Sequence, residues 1–294
     1  MSLTQQRFVG LTQRELPPIL QEPLKVERRS IPIPGLPPAL SPLKIVQLSD
    51  FHYDNTRLSE SLLQAAIAAA NAAKPDLIAL TGDFITDDPA PIHDLAIHLS
   101  YLQSRYGIVA VLGNHDNYLS GARATVTRAL ENIGVQVLWN AIAYPCGSGF
   151  PVVGLADLWS GEFNPTPVLT QLEPSQPRLV LSHNPDSAVP LRRHRVDLQL
   201  SGHTHGGQIV LPNGEALPSF LLRWRQRVPR VIARRLWQEC TKVIVHWEWS
   251  QGHHQVGDNQ LYVNRGLGAY FPGRWHCPPE LTILDLTTHG SSSG

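Results

Sequence analysis

Two pairs of side chains with an i, i+2 spacing stand far apart in the chain: Asp50 with His52, and His203 with His205. In an extended segment such residues point to the same side, so one short stretch can supply two ligands. Between the pairs stand Asp83 after Gly82, Asn114-His115-Asp116 after Gly113, and His183. Imidazole and carboxylate suit zinc, iron and manganese, and the lack of thiolate argues against a structural zinc-finger site. Seven candidate ligands, Asp50, His52, Asp83, Asn114, His183, His203 and His205, are too many for one tetrahedral ion and suit two adjacent ones. Two divalent cations about 3.5–4 Å apart repel by on the order of 20 kcal/mol at an effective dielectric of about 20. A bridging carboxylate and a bridging hydroxide must offset that repulsion. Asp83, alone in its segment, is the natural bridge.

Each residue also has a plainer reading. Asn and Asp form turns, Gly punctuates loops, and a lone His is most often a satisfied core residue. The argument for a site is the joint pattern, because each of the five clusters directly follows an apolar run. Leu43–Leu48 leads to Asp50 and His52, Asp76–Leu80 to Asp83, and Ile108–Leu112 to Asn114 and His115. Arg178–Leu181 leads to His183, and Asp197–Leu200 to His203 and His205. Ligands gather outside the carboxyl ends of strands in open α/β sheets, so clusters distant in sequence can converge.

The elements that must position them follow from periodicity. Ser59 is placed to cap a helix over Glu60–Ala73, with Leu62, Leu63, Ile67 and Ala70 on one face and Pro75 beyond its end. Further helices are predicted over Ile92–Arg105 and Ala122–Asn132, the latter stopped at Gly134. This βαβαβ rhythm implies a parallel or mixed sheet covered by helices. The second half reads as short strands: Gln136–Trp139, Pro151–Ala156, Arg178–Leu181, Asp197–Leu200, Gln208–Leu211, Leu261–Val263 and Leu281–Leu286. They suggest a second sheet packed on the first. Residues 1–42 carry prolines at eight positions from 17 to 42 and read as an irregular N-terminal segment ending in a linker, with an interrupted edge strand around Lys25–Ile31 as the alternative. The ordered domain is expected over 43–290.

Composition narrows the class. The 294 residues are 42% hydrophobic and 16% charged, which excludes a disordered chain and allows a large core. Lys+Arg and Asp+Glu balance at 24 each, which argues against nucleic acid. Three scattered cysteines with no CxxC argue against a disulfide framework and fit a reducing compartment. Met1–Gly10 has no apolar core for a signal peptide, and no run reaches the length of a membrane span. The expectation is a cytoplasmic protein, with peripheral contact to the inner membrane as the alternative.

The ordered set Asp50-Phe51-His52, Gly82-Asp83, Gly113-Asn114-His115-Asp116, His183 and Gly202-His203-Thr204-His205 resembles the calcineurin-like metallophosphoesterase family. The stretches His203–Ile209, Leu261–Gly268 and Pro278–Leu281 look like its bacterial YkuE/YaeI-like branch. The resemblance implies a four-layer α/β/β/α sandwich of two mixed sheets flanked by helices, and two divalent metal ions per chain, manganese, iron or zinc. It implies that Asp50, His52 and His205 hold one ion, Asn114, His183 and His203 the other, and that Asp83 bridges them. His115 would be the catalytic histidine that binds no metal and acts on the phosphate. Asp116 would orient His115, or cap the loop. The implied activity is hydrolysis of a phosphodiester or pyrophosphate bond by a metal-bridging hydroxide, on a small or lipid-linked substrate such as a UDP-diacylglucosamine-type molecule. The alternatives are a nuclease or nucleotide phosphodiesterase, and a membrane-surface scaffold with a non-catalytic metal site.

One stretch departs from the pattern. Within an insertion at about 214–258, residues 219–249 hold six arginines, Lys242 and four of the seven tryptophans, opposed only by Glu239 and Glu248. Such a segment can lie in a membrane interface or cover a lipid-tailed substrate. It can equally form a surface helix and a strand over Lys242–Trp249 that pack on the domain. His253-His254 reads as a polar loop. Arg265, Tyr270 and Arg274 either meet substrate phosphate or pack their Gly-rich loop.

Overall fold

In strand β2 (Leu43–Leu48), Leu43 and Ile45 face one side and Val46 and Leu48 the other, and all four are buried. The same two-sided apolar pattern holds in β3 (Leu77–Leu80), where Leu77 and Ala79 oppose Ile78 and Leu80. Strands covered on both faces need helices on one side and a second layer on the other. The structure, a computed structural model, describes residues 17–225 and 244–288 and supplies both.

Helices α1 (Glu60–Ala72), α2 (Ile92–Leu99) and α3 (Ala122–Glu131) connect β2, β3, β4 (Ile108–Ala110) and β5 (Val135–Val137), which run parallel. The Ser59 side chain accepts from Leu62 N and caps α1, which buries Leu63, Ala66, Ile67 and Ala70. Helix α2 stops at Leu99 rather than at Arg105: the chain turns at Ser100, and Gln103 N donates instead to Asn71 Oδ1 of α1 (2.8 Å). The Pro-rich segment is built into this sheet. Lys25–Pro32 forms a continuous edge strand, β1, parallel to β12 (Glu280–Thr287), and β12 pairs antiparallel with β2. The linker expected there gives way because its pairing needs no neighbour on the outer edge, where prolines are tolerated. The order is β1-β12-β2-β3-β4-β5.

The second sheet has the order β10-β11-β9-β8-β7-β6, formed by Gly252–Val256 (β10), Asn259–Val263 (β11), Leu198–Ser201 (β9), Leu179–Leu181 (β8), Val152–Gly154 (β7) and Ala141–Ala143 (β6). His253 and His254 lie on edge strand β10 rather than in a loop. Gln208–Leu211 makes only isolated bridges, because Gly206, Gly207 and Gln208 all have positive φ and break the extended run. Ile45, Leu77 and Val109 of the first sheet meet Val152, Leu179, Leu198 and Tyr262 of the second. α4 (Pro165–Leu169) and α5 (Ala188–Leu191) cover the outer face of the second sheet. The architecture is the four-layer α/β/β/α sandwich of two mixed sheets. Near its upper edge, Gln47 Nε2 crosses between the sheets to Ser201 O (2.9 Å) and also reaches Thr81 Oγ1 (3.0 Å).

Of the Arg/Trp-rich stretch, residues 226–243 lie outside the described residues. Helix α6 (Leu217–Arg225) precedes them. After them, Trp247–Trp249 is a short 3-10 turn, so the described part of the strand expected over Lys242–Trp249 is not a strand. The Asp186 carboxylate accepts from Val245 N and His246 N and holds this end down (2.7 and 3.0 Å). Trp249 packs on Ala188, Val256, Leu261 and Val263. Among the described residues no helix is long and apolar enough to cross a membrane.

Candidate metal centre at the strand ends

The parallel strands β2, β3 and β4 end at one edge of the first sheet, and β8, β9 and β11 end beside them in the second. Their loops interlock. Asp50 N donates to Gly82 O (2.9 Å), and Gly202 N to His183 O (2.9 Å). From the loop after β11, Leu267 N reaches Ser49 O (3.0 Å) and Gly268 N reaches Asp50 O (2.7 Å). The sheets are joined by His203 N, which donates to the Asp50 carboxylate (2.9 and 3.1 Å).

These loops bring the expected ligands together. Potential ligand atoms of Asp50, His52 and His205 lie within 4.8 Å of one another, and so do those of Asp83, His183 and His203. Asp83 Oδ2 stands between the groups, 3.0 Å from His183 Nε2 and 3.5 Å from His52 Nε2. His52 Nε2 is 3.0 Å from His205 Nε2, and His183 Nε2 is 3.2 Å from His203 Nδ1. Asn114 lines the same cavity; its Nδ2 donates to Tyr118 Oη (2.6 Å), and its buried Oδ1 has no hydrogen-bond partner. Oδ1 is therefore the atom left for a cation.

The backbone is bent to make this possible. Asp50, His52, Asp83, His203 and His205 have φ of 50, 43, 55, 71 and 51°. Left-handed conformations cost of order 1–3 kcal/mol each outside glycine and cluster where function demands them. Glycines leave the room: a Cβ on Gly202 would lie 2.2 Å from Asp50 Oδ2.

Electrostatics fit a cationic centre. Burial drives His52 well below the ordinary imidazole value, against the pull of Asp83. Burial and then Arg274 take His205 down to about 3. Both rings are thus neutral, the form that ligates metals. Burial also pushes Asp50 up, to about 6, against His183. At Asp83 the upward push of burial is outweighed by His183, His115 and His52, which hold its carboxyl well below the usual range. Burial lowers His183, yet the charge and hydrogen bond of Asp83 lift it to about 10. The place facing Asp83 takes positive charge, either a proton on His183 Nε2 or a divalent ion.

His115 stands beside the ligands. Its backbone N donates to Asp83 Oδ1 (3.0 Å), and its Nδ1 lies 2.6 Å from Thr86 O. Asp116, expected to orient it, makes no hydrogen bond with the His115 ring. Its carboxylate accepts from the backbone N–H of Asp83 (2.9 Å), Phe84 (2.9 Å), Ile85 (3.2 Å) and Gly113 (2.8 Å). The loop-capping alternative describes it, and Asp116 touches nothing that reacts.

The Gly-rich loop divides. Arg265 pairs with Glu27 (3.1 Å) and Glu280 (2.8 Å), and Arg274 donates to the carbonyls of Arg265 (2.7 Å) and Gly268 (2.6 Å); both pack the loop. Tyr270 reaches the centre, with Oη 3.1 Å from His52 Nδ1 and 3.3 Å from His115 Nε2. Sequence reasoning missed Asp157. It is buried just beyond β7, accepts from Trp159 N (3.0 Å), and Trp159 sets its ring edge against His203. The signal was present, since Asp157 follows an apolar strand as Asp50 and Asp83 do.

A four-layer sandwich with imidazoles and carboxylates gathered at its strand ends is the architecture of a metal-dependent hydrolase of phosphoric esters. The profile of the calcineurin-like phosphoesterases matches residues 43–207. Phosphodiesterase YaeI of Escherichia coli is 34% identical over 84% of this chain and 83% of its own, and metallophosphoesterase YkuE of Bacillus subtilis is 31% identical over 85% and 81%. UDP-2,3-diacylglucosamine pyrophosphatase LpxG of Chlamydia trachomatis is 27% identical over 89% and 88%. The chain belongs to the calcineurin-like phosphoesterase family, and it is a phosphoric ester hydrolase.

Proposed function

We propose that this chain hydrolyses a phosphodiester or pyrophosphate bond with two divalent cations, held by Asp50, His52 and His205 on one side and by Asn114, His183 and His203 on the other, with Asp83 shared. The observation that carries this is the position of Asp83 Oδ2 between His183 Nε2 and His52 Nε2 (3.0 and 3.5 Å). When bound, such cations polarise phosphoryl oxygens and bring the pKa of water towards neutrality. His115 lines the same cavity beside Asp83 and Asn114, where its ring can meet a phosphoryl oxygen or leaving group. A positioned histidine contributes about 10²–10⁴-fold in rate.

The substrate we infer carries an apolar group next to its phosphate. The cavity of about 490 Å³ has Asp83, Asn114 and His115 at one end, and Tyr118, Pro218, Ile244, Trp247 and Phe271 along its walls. Phe220 and Trp224, on the helix α6 that also carries Pro218, expose 40% and 50% of their surface, which supports contact with a lipid surface or an acyl chain. The Chlamydia relative's name joins a pyrophosphatase to a diacylated UDP-sugar. Hydrolysis of a chromogenic phosphodiester and of acylated and deacylated UDP-sugars, with manganese, iron or zinc added in turn, tests both parts. Activity that needs a cation and is abolished by Asp83→Ala is expected, with the acylated substrate faster. No hydrolysis with any cation would sink the reaction, and equal rates on the two UDP-sugars would sink the apolar pocket.

A further inference from the structure

Carbonyl oxygens accept hydrogen bonds and never donate them, so a ring nitrogen that faces one carries a proton. His115 Nδ1 lies 2.6 Å from Thr86 O, His183 Nδ1 lies 2.6 Å from Thr81 O, and His205 Nδ1 lies 3.2 Å from Gly268 O. Each of these nitrogens therefore carries a proton, and where the ring is neutral its Nε2 is bare. His52 is built differently. At its Nδ1 stands not a carbonyl but the phenol of Tyr270, 3.1 Å away, while its Nε2 looks towards His205 and Asp83.

The same hydroxyl lies 3.3 Å from His115 Nε2. A phenol has one proton to give and lone pairs to receive with. In a neutral His115 ring Nε2 has no proton and accepts from the phenol, which leaves His52 Nδ1 to donate to it. With a cation at His52 Nε2, one arrangement serves both rings: His52 Nδ1–H donates to Tyr270 Oη, and Oη–H donates to His115 Nε2. It leaves His52 Nε2 as a lone pair directed into the centre. The Tyr270 ring is itself held in place. The Arg57 guanidinium lies 4.6 Å over its face, and the His52 ring meets it edge-on at 5.0 Å.

We propose that Tyr270 is a positioning residue of the centre, its one hydroxyl setting the tautomer and orientation of His52 and His115 together. It takes at His52 the part that a carbonyl plays at His183 and His205, and it ties a ligand ring to the one histidine that acts on phosphate. That His52 offers Nε2 to a cation, and so carries its proton on Nδ1, rests on the function proposed above; the reach of one hydroxyl to both rings does not.

The test uses the full chain with ¹⁵N-labelled histidine, and zinc as the probe. In the wild type, the neutral His52 and His115 rings are expected to show Nδ1–H and a pyridine-type Nε2. Tyr270→Phe keeps the ring and removes the hydroxyl. The His115 Nε2 signal is then expected to move while that of His183 stays. One of two zinc affinities is expected to fall about 10–100-fold, as loss of a ligand's outer hydrogen-bond partner does. Turnover at saturating zinc is expected to fall in kcat with KM little changed. A wild-type His115 carrying its proton on Nε2 overturns the proposal, whether or not the variant folds. So does a Tyr270→Phe protein whose ring signals and zinc affinities match the wild type. A wild type that binds no zinc refutes the function proposed above, while the ring signals still decide the place of Tyr270.

Discussion

Gly113→Ala adds one methyl group to the loop after β4, and its cost can be worked out atom by atom. The new Cβ would sit 2.1 Å from Asp83 Oδ1 and 2.7 Å from both Asp83 Cγ and Asp83 N. Heavy atoms in contact settle at about 3.5 Å, so the carboxylate must move by more than about 1 Å. Moving it breaks the bond that Asp83 Oδ1 accepts from His115 N, a charge-assisted bond of about 1.5–3 kcal/mol. Overpacking adds about 1–3 kcal/mol. Against a stability of about 5–15 kcal/mol the fold survives, but Oδ2 leaves its place between His52 and His183. Displacement by about 1 Å costs about 10²-fold in rate. The assay is kcat on a chromogenic phosphodiester together with metal stoichiometry of the purified protein. Gly134→Ala is the control: it strains a residue with φ of 85° but meets nothing within 4 Å, so it should cost stability without changing turnover. A Gly113→Ala protein with both metals at wild-type affinity and kcat within about threefold would refute the reasoning.

Other substitutions separate the parts of the centre. His115→Ala should keep both metals by elemental analysis and lose about 10²–10⁴-fold in kcat, whereas Asn114→Ala should lose one metal first. Asp116→Asn puts an amide nitrogen where one oxygen accepts from two backbone N–H groups and should lower the melting temperature, with the loss of two bonds of about 1.5–3 kcal/mol each; an unchanged melting curve would count against its loop-capping place. Cys146 is pushed up to about 12 by burial and then Asp76, so at pH 8 it stays a thiol and should resist iodoacetamide in the folded protein, as read by peptide mass. Complete alkylation there within minutes would contradict the packing.

The convergence of these side chains was legible because each cluster is short and directly follows an apolar strand, as Leu77–Leu80 precedes Gly82-Asp83. Two-residue periodicity places the strands, and parallel order places their ends together. Tyr270 was harder to assign, because a tyrosine 218 residues from His52 carries no local pattern that says which ring it meets. Asp116 was misassigned because adjacency to His115 says nothing of direction; its carboxylate turns away to four backbone N–H groups. β10 was hidden by the paired histidines at 253 and 254, which an exposed edge tolerates. The Pro-rich β1 was obscured in the same way, since an outer strand is free to carry residues that a central one is not.

The insertion of β12 between β1 and β2 has a consequence for how the protein is made. Synthesis reaches residue 205 before every ligand exists, and reaches the loop at 264–268 before Ser49 and Asp50 are gripped. The strand that fills the gap in the first sheet comes later still, at 280–287. Contacts between residues so far apart form slowly, and domains assemble as units after their last strand emerges. The nascent chain therefore has no finished pocket to load, and cations held by these residues would enter after the last strand emerges. On the function proposed above, the ion at the centre would then be chosen by the metal pool that the folded chain meets.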